Sequence, residues 1–215
     1  MIGLVIPLWG YLAVTVPLVL TPGASTAVVL RNSLAGGTRA GVATAVGANS
    51  GSICYGLLSA FGLALALRRW PAAWVVLRTA GVLYMAWLGI QSLRRALSSP
   101  PSGLTVARNA APHGLWRSIS EGFATNALNP AVATFYLVLL PQFIPRGAPI
   151  ITSALLLTAI HVSLAASWHV TWAVGGGSLS RVLAAPRSRQ LLESATGLAL
   201  LGLAISMAFS HAGPR

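Results

Sequence analysis

Long apolar stretches separated by short arginine-containing segments dominate this chain. Four runs contain no Asp, Glu, Lys or Arg: Met1–Leu30, Ala40–Leu67, Gly122–Pro145 and Gly147–Ser180. A helix that crosses a bilayer needs roughly 20 apolar residues, and each run exceeds that length. The pattern therefore predicts an all-α polytopic membrane protein.

We place six transmembrane spans in a single membrane domain, three on each side of a polar linker. The spans cover about Leu4–Leu30, Ala40–Leu67, Ala72–Leu93, Ser118–Ile144, Pro149–Val174 and Leu191–Phe209. The linker, 94–117, is rich in Ser, Pro and Gly near its start, which is typical of a boundary. It separates a first repeat, 1–93, from a second repeat, 118–215.

Two of the spans are interrupted by matching dipeptides, Thr21-Pro22 and Asn129-Pro130. Thr and Asn are good N-cap residues, and proline is favoured at the first position of a helix. We therefore expect a new half-helix to start at Pro22 in span 1 and at Pro130 in span 4. The two prolines are 108 positions apart, half the chain of 215 residues. Paired interruptions of this kind indicate a transporter's binding site.

The two halves repeat the same layout, a broken span followed by a long span and a shorter one. Because three is an odd number, the second half must enter the membrane from the opposite side. The layout therefore predicts two inverted three-helix repeats.

The charge distribution supports this arrangement. The chain is 55% hydrophobic and 7% charged, against about 25% charged in soluble domains. All 14 basic residues are Arg; nine lie in the loops after spans 1, 3 and 5, four lie on the other side, and Arg78, within span 3, can reach either loop. The positive-inside rule places the nine-arginine side and the linker in the cytoplasm and both termini outside. Because the arginines lie between apolar runs, the net charge of +12 does not indicate nucleic-acid binding.

The two interruptions supply the candidate binding residues. The free N–H groups and positive dipole ends of half-helices suit an anion such as a carboxylate. Pro22, Gly23 and Pro130 would shape the backbone there. Neutral polar contacts would come from these side chains: Thr21, Ser25, Asn126 and Asn129. The structural alternative is a pair of proline kinks whose freed backbone groups bind neighbouring Thr and Asn side chains.

A glycine-rich segment in span 2 carries one further polar candidate. Gly47 and Gly51 form a GxxxG, which favours close helix packing. Asn49 lies between them, and an amide in the membrane needs a partner. It either faces the binding cavity or braces another helix.

Three titratable residues are candidates for proton coupling: His161 and His169 in span 5, and Glu121 just before the second interruption. The alternative for each histidine is a neutral, hydrogen-bonded side chain. Glu121 and Glu193, the only acids, lie close to span ends, and we interpret both as interfacial. There is no HExxH, no Cys/His cluster and no GxxxxGK[ST], so neither a metal, a cofactor nor ATP hydrolysis is indicated.

Several motifs, in their order and spacing, resemble the LysE/RhtB family of amino-acid exporters over nearly the whole chain. They are Thr21-Pro22-Gly23, Ser33-Leu34-Ala35-Gly36-Gly37, Arg39-Ala40-Gly41, Gly47 and Gly51, Gly81-Val82-Leu83-Tyr84-Met85-Ala86-Trp87-Leu88-Gly89, Gly122-Phe123, Asn126, Leu128-Asn129-Pro130, Leu140-Pro141-Gln142-Phe143, and Gly197 and Gly202. The resemblance implies a bacterial inner-membrane exporter of amino acids or close derivatives, driven by proton antiport. The implied partners are a small-molecule substrate and the lipid bilayer, with a monomer and a homo-oligomer both open.

The chain departs from the family pattern at two positions. Ala24 stands where the family often has a second proline, and Ala131 stands where it often has Lys after Asn-Pro. The second half-helix would therefore hold its substrate without a nearby fixed cation. The absence of acids deep in the membrane favours a neutral or small substrate.

Two other classes of function remain open from the sequence. A non-transporting scaffold or partner subunit could use the interruptions only for packing. An intramembrane enzyme could use His161 or His169, although no catalytic constellation accompanies them, and we do not predict an enzyme.

Overall fold

The computed structural model describes residues 8–70, 73–98, 114–145, 147–183 and 186–209. Within these ranges the chain is helical and contains no β-strand, as the sequence predicts. The helices are α1 Leu8–Leu20, α2 Ala24–Arg69, α3 Ala73–Leu97, α4 Leu115–Ala127, α5 Pro130–Thr134, α6 Ile150–Leu183 and α7 Pro186–Phe209. A π-helical turn, Phe135–Leu139, and a 3-10 turn, Leu140–Phe143, continue α5. Most of the predicted linker and both chain ends lie outside the described residues.

The described helices have the length and hydropathy of a membrane protein. Two helices contain a stretch long and apolar enough to cross a bilayer, one within Ala24–Leu65, which a turn at Gly37 divides, and one within Ile150–Gly175. A third crossing is counted if Leu115–Ala127 and Pro130–Phe143, bent by 57°, form one broken span. Two shorter apolar helices accompany them. The membrane class is therefore confirmed, whereas the six-span count stays a prediction.

The α2 helix is a hairpin of two arms, α2a (24–36) and α2b (38–69). Gly37 between them has φ 77° and ψ 177°, a left-handed backbone that favours glycine. The arms fold back on each other. Asn32 and Thr44 are twelve positions apart in the sequence, yet Asn32 Nδ2 donates to Thr44 Oγ1 at 2.9 Å. The arginine-flanked loop predicted between spans 1 and 2 is thus a turn at a single glycine.

Close packing of α2b on α4 uses glycine on both helices. A β-carbon at Gly47 would collide with the Ile119 carbonyl, and one at Gly122 would collide with the Thr44 carbonyl. The predicted packing role of the GxxxG in span 2 is therefore confirmed. The α3–α7 pair crosses in a similar way, since a β-carbon at Gly197 would lie 2.9 Å from the Gly89 carbonyl oxygen.

Aromatic residues join α1 to the 130–143 segment and to α6. Tyr11 is fully buried, and its hydroxyl donates to the Leu157 carbonyl at 2.8 Å. Its ring packs edge-on against Phe143, with ring centroids 5.1 Å apart. The resulting apolar cluster holds the interrupted segments in place around the cavity described next.

Candidate functional site

Both chain interruptions line one cavity of about 450 Å³. Thr21, Pro22, Gly23 and Ser25 border it from the first interruption, and Asn129 borders it from the second. Side chains from α3, α6 and α7 complete the wall. The structure thus brings together two segments that are half a chain apart in sequence.

The first interruption differs in detail from the predicted capping arrangement. Helix α1 ends at Leu20 and α2a begins at Ala24, so the break lies at the expected place. The Thr21 hydroxyl and N–H both donate to the Pro17 carbonyl, at 2.8 and 3.0 Å. Thr21 therefore satisfies the C-terminal end of α1, and the prediction that it caps the next helix is wrong. Pro22 likewise precedes the helix and does not start it.

The first turn of α2a faces the cavity. The first hydrogen bond of this helix runs from the Ala27 N–H to the Gly23 carbonyl at 3.0 Å. The N–H groups before it, at Ala24, Ser25 and Thr26, lie in the turn that has no acceptor inside its own helix. All three residues line the cavity.

The second interruption has the predicted cap. Asn129 adopts an extended backbone, and its side-chain oxygen accepts a hydrogen bond from the Ala131 N–H at 2.9 Å. Pro130 occupies the first helical position. Asn129 and Ala131 line the cavity, whereas Pro130 itself does not.

Asn126 connects the two interruptions. The Ser25 hydroxyl, in the first turn of α2a, lies 3.4 Å from its side-chain oxygen. Its amide nitrogen donates to the Ser52 hydroxyl at 2.7 Å and to the Ala48 carbonyl of α2b. Both amide hydrogens are thus committed to protein partners, so Asn126 positions the cavity wall.

Asn49 braces a histidine and does not line the cavity. Its amide nitrogen donates to the Ala45 carbonyl at 2.7 Å and lies 3.2 Å from His169 Nδ1. Since an amide nitrogen only donates, Nδ1 is the acceptor and the proton of a neutral His169 sits on Nε2. Of the two roles left open for Asn49, the structure favours the brace.

Both span-5 histidines line the cavity. The His161 ring packs against Phe135 and Tyr136, with centroid separations of 4.4 and 5.2 Å. His169, on α6 two turns further along, is 8% exposed. The structure therefore brings two of the three proton-coupling candidates to the candidate site.

The third candidate, Glu121, lies elsewhere. Its carboxylate pairs with Arg31 of α2a, and it accepts from Asn32 at 3.2 Å and from Arg117 at 3.2 Å. Glu121 is not among the residues that line the cavity. It is partly exposed, with 27% of its side chain accessible.

An ion pair in the cavity wall is absent from the sequence predictions. Glu193 of α7 has a 5% exposed side chain, so protein encloses its carboxylate, and its interpretation as an interfacial residue stays a prediction. Both of its oxygens accept from Arg95 Nε of α3, at 3.1 and 3.2 Å. Arg95 also donates to the Ser92 hydroxyl at 3.0 Å.

The ion pair changes the expected electrostatics of the site. The sequence indicated no fixed cation beside the second half-helix and no acid deep in the membrane, but Arg95 and Glu193 both line the shared cavity. The Thr21 and Thr196 hydroxyls, 3.3 Å apart, connect this part of α7 to the first interruption. The predicted repeat could have identified this ion pair, if the third spans of the two halves are placed side by side.

The cavity therefore offers helix N–H groups, hydroxyls, two imidazoles, a carboxylate and a guanidinium around a small volume. Among the described residues no group of three or more His, Cys, Asp or Glu side chains could hold a metal ion. Such a lining suits a small polar solute that carries charge.

Comparison with known proteins gives a consistent result. The family model of the LysE type translocator matches residues 16–211. An uncharacterized membrane protein of Bacillus subtilis, YrhP, is 24% identical over 207 residues, covering 94% of this chain and 99% of the relative.

Other relatives carry functional names. A putative amino-acid transporter of Aeromonas salmonicida, YggA, is 32% identical over 70% of this chain and 71% of its own length. A leucine efflux protein of Klebsiella pneumoniae is 26% identical over 92% of each chain. No solved structure gives a significant match.

Proposed function

Because the chain belongs to the LysE type translocator family, we propose that it exports amino acids or close derivatives across the bacterial inner membrane. The observation that carries this proposal is the shared cavity, in which both interruptions meet. Relatives named as a putative amino-acid transporter and as leucine efflux proteins support the class of substrate.

Membership in a translocator family agrees with the prediction that the chain is a transporter and not an enzyme. The scaffold alternative is less well supported, because a scaffold needs no polar cavity. A volume of about 450 Å³ lies within the range of small-molecule sites.

In the proposed binding mode, the substrate carboxylate lies against the first turn of α2a. Three N–H groups there precede the first intrahelical bond, and the helix dipole adds a partial positive charge. Asn129, at the start of the second half-helix, borders the same cavity. Thr21, Pro22, Gly23 and Pro130 act by holding the backbone interrupted.

The packing of the helices supports an inverted six-span architecture. The hairpin arm α2b packs against α6, and α3 packs against α7. In the predicted repeats these are the second spans of the two halves and the third spans of the two halves. Each of these elements thus contacts its own counterpart, as elements next to a two-fold axis between the halves would.

We infer that transport is coupled to protons through His169 and His161. Both line the cavity, and imidazole is the side chain whose charge changes most readily near neutral pH. Glu121 remains a secondary candidate, because it reaches Arg31 on the half-helix that begins at the cavity.

Efflux from vesicles tests this function directly. Purified protein in proteoliposomes loaded with labelled amino acids should release a subset of them, and an acidic exterior should accelerate release. Protein-free vesicles provide the control. Release at the protein-free rate for every amino acid tested would contradict the proposal.

A further inference from the structure

The Arg95–Glu193 ion pair is a buried charged group that the proposed binding mode does not use. We propose that Glu193 is the recognition site for the α-ammonium group of the exported amino acid. This inference rests on the proposed function, and it adds a residue that determines specificity.

Burial indicates that Glu193 has a role beyond a surface ion pair. Its side chain is 5% exposed, and that of Arg95 is 46% exposed. A buried carboxylate is costly unless cations and hydrogen-bond donors surround it. Here the acid is the enclosed member, and its partner reaches towards water. Glu193 also lines the cavity, so a cation arriving there could contact its carboxylate.

The pairing geometry leaves room for a second cation. Both carboxylate oxygens share the single Nε–H of Arg95, at 3.1 and 3.2 Å. A bidentate arrangement would instead occupy each oxygen with its own donor. A carboxylate offers about four acceptor positions, so an ammonium can bind beside or in place of Arg95.

Glu193 lies near the proposed carboxylate site. Glu193 and Thr196 are three residues apart on α7, which places them on one face of the helix. Thr196 meets Thr21 at 3.3 Å, and Thr21 lies three residues before the first N–H group of α2a. The ammonium site and the proposed carboxylate site are thus close neighbours across the first interruption.

This arrangement predicts which solutes bind well. A zwitterion satisfies both sites, with its ammonium on Glu193 and its carboxylate on the α2a N–H groups. A solute without the ammonium leaves the carboxylate of Glu193 paired with Arg95, its cationic partner among the described residues. Free amino acids should therefore bind better than their deaminated analogues.

The test compares an exported amino acid with its deaminated analogue in wild-type and Glu193→Gln protein. Leucine and 4-methylpentanoate, which share the side chain and the carboxylate, form the first pair. Wild-type protein should prefer the amino acid by roughly tenfold to hundredfold, the worth of one hydrogen bond to a charged group. Glu193→Gln should bring this ratio near one by weakening amino-acid binding only.

Two further variants separate recognition from structure. Glu121→Gln removes the other acid, which also pairs with arginine but lies outside the cavity lining, and it should keep the preference in equilibrium binding whatever it does to proton coupling. Arg95→Gln removes the competing cation and should keep or increase the preference. Heating curves of the purified variants check that each one is folded.

The outcomes distinguish this inference from the proposed function. If Glu193→Gln retains the wild-type ratio, or if Arg95→Gln and Glu193→Gln lose it equally, Glu193 serves only to hold Arg95 and the inference is wrong. Both of those outcomes leave amino-acid export intact. Failure of the wild-type protein to export any amino acid would overturn the proposed function and the inference together.

Discussion

Three asparagines near the cavity use their amides in different ways. Asn129 accepts a backbone hydrogen bond and starts a half-helix. Asn126 donates to α2b and lies 3.4 Å from the Ser25 hydroxyl, which joins the two interruptions. Asn49 fixes one nitrogen of His169. Burying an amide without a hydrogen-bond partner costs free energy. Each of these three amides has at least one specific hydrogen-bond partner.

The cap at the second interruption can be tested with one pair of substitutions. Asn129→Ala removes the acceptor for the Ala131 N–H, and such a loss costs about 1 kcal/mol. We expect a lower unfolding temperature and slower efflux. Asn129→Ser keeps a capping oxygen and should retain most of both. Equal behaviour of the two variants would show that the cap does not hold this segment.

Sequence reasoning succeeded at Asn129 and failed at Thr21 for a physical reason. A polar side chain caps a helix only if no other nearby group forms a better hydrogen bond with it. At Thr21 the hydroxyl has the Pro17 carbonyl within reach, four residues earlier at the end of α1. That acceptor is visible only when α1 is known to end at Leu20. The sequence did not predict the Arg95–Glu193 ion pair for a similar reason, since the two residues are 98 positions apart.

At the level of elements, glycine determines how closely the helices approach. Gly47 and Gly122 face carbonyl groups on opposite helices, so α2b and α4 cross with their backbones in contact. This crossing brings Asn126 within reach of Ala48 and Ser52. The GxxxG in the sequence predicted close packing but did not identify α4 as the partner.

Two alanine substitutions on the same helix test this crossing. Gly47→Ala places a methyl group against the Ile119 carbonyl and should destabilise the protein by about 1–3 kcal/mol, as overpacking does. Gly62→Ala is the matched control, because among the described residues no atom beyond its own turn of helix would lie within 4 Å of its β-carbon. Thermal unfolding in detergent measures both. A destabilised Gly62→Ala with an unaffected Gly47→Ala would contradict the described packing.

The elements themselves were predicted unevenly. Both interruptions lie where the dipeptides placed them, since proline and capping residues leave a local signal. The π-helical and 3-10 turns after α5 were not predicted. Phe135, Tyr136 and Phe143, which lie in these turns, are buried in the apolar cluster around Tyr11, a contact between segments that local sequence does not show.

At the scale of the whole molecule, the two halves meet at one polar cavity inside an apolar helical protein. The all-α membrane class and the family follow from apolar run lengths and motif spacing. The inverted six-span layout remains a prediction that the α2–α6 and α3–α7 pairs support. Which side chains line the cavity depends on contacts between segments that are distant in sequence. The sequence therefore predicted the two interruptions in the cavity wall but not the Arg95–Glu193 ion pair.

Proton coupling is a property of the whole transport cycle. Replacing both His161 and His169 with Gln should preserve exchange of labelled for unlabelled amino acid, because the helix N–H groups and Glu193 remain. It should remove the acceleration of efflux by an acidic exterior. Retained acceleration would exclude these histidines from coupling, and loss of exchange would place them in substrate binding.

The central claim is that both interruptions contribute to one substrate site, and substrate protection tests it most directly. Ala24 and Ala131 line the cavity from the first and the second interruption. Each is replaced by cysteine in a Cys54→Ala background, with Ser98→Cys, exposed at the end of α3, as the control. The amino acid that the vesicles export should slow thiol labelling of Ala24→Cys and Ala131→Cys over the same concentration range, and should leave Ser98→Cys unchanged. Protection at only one of the two interruptions, or at neither, would contradict a shared site.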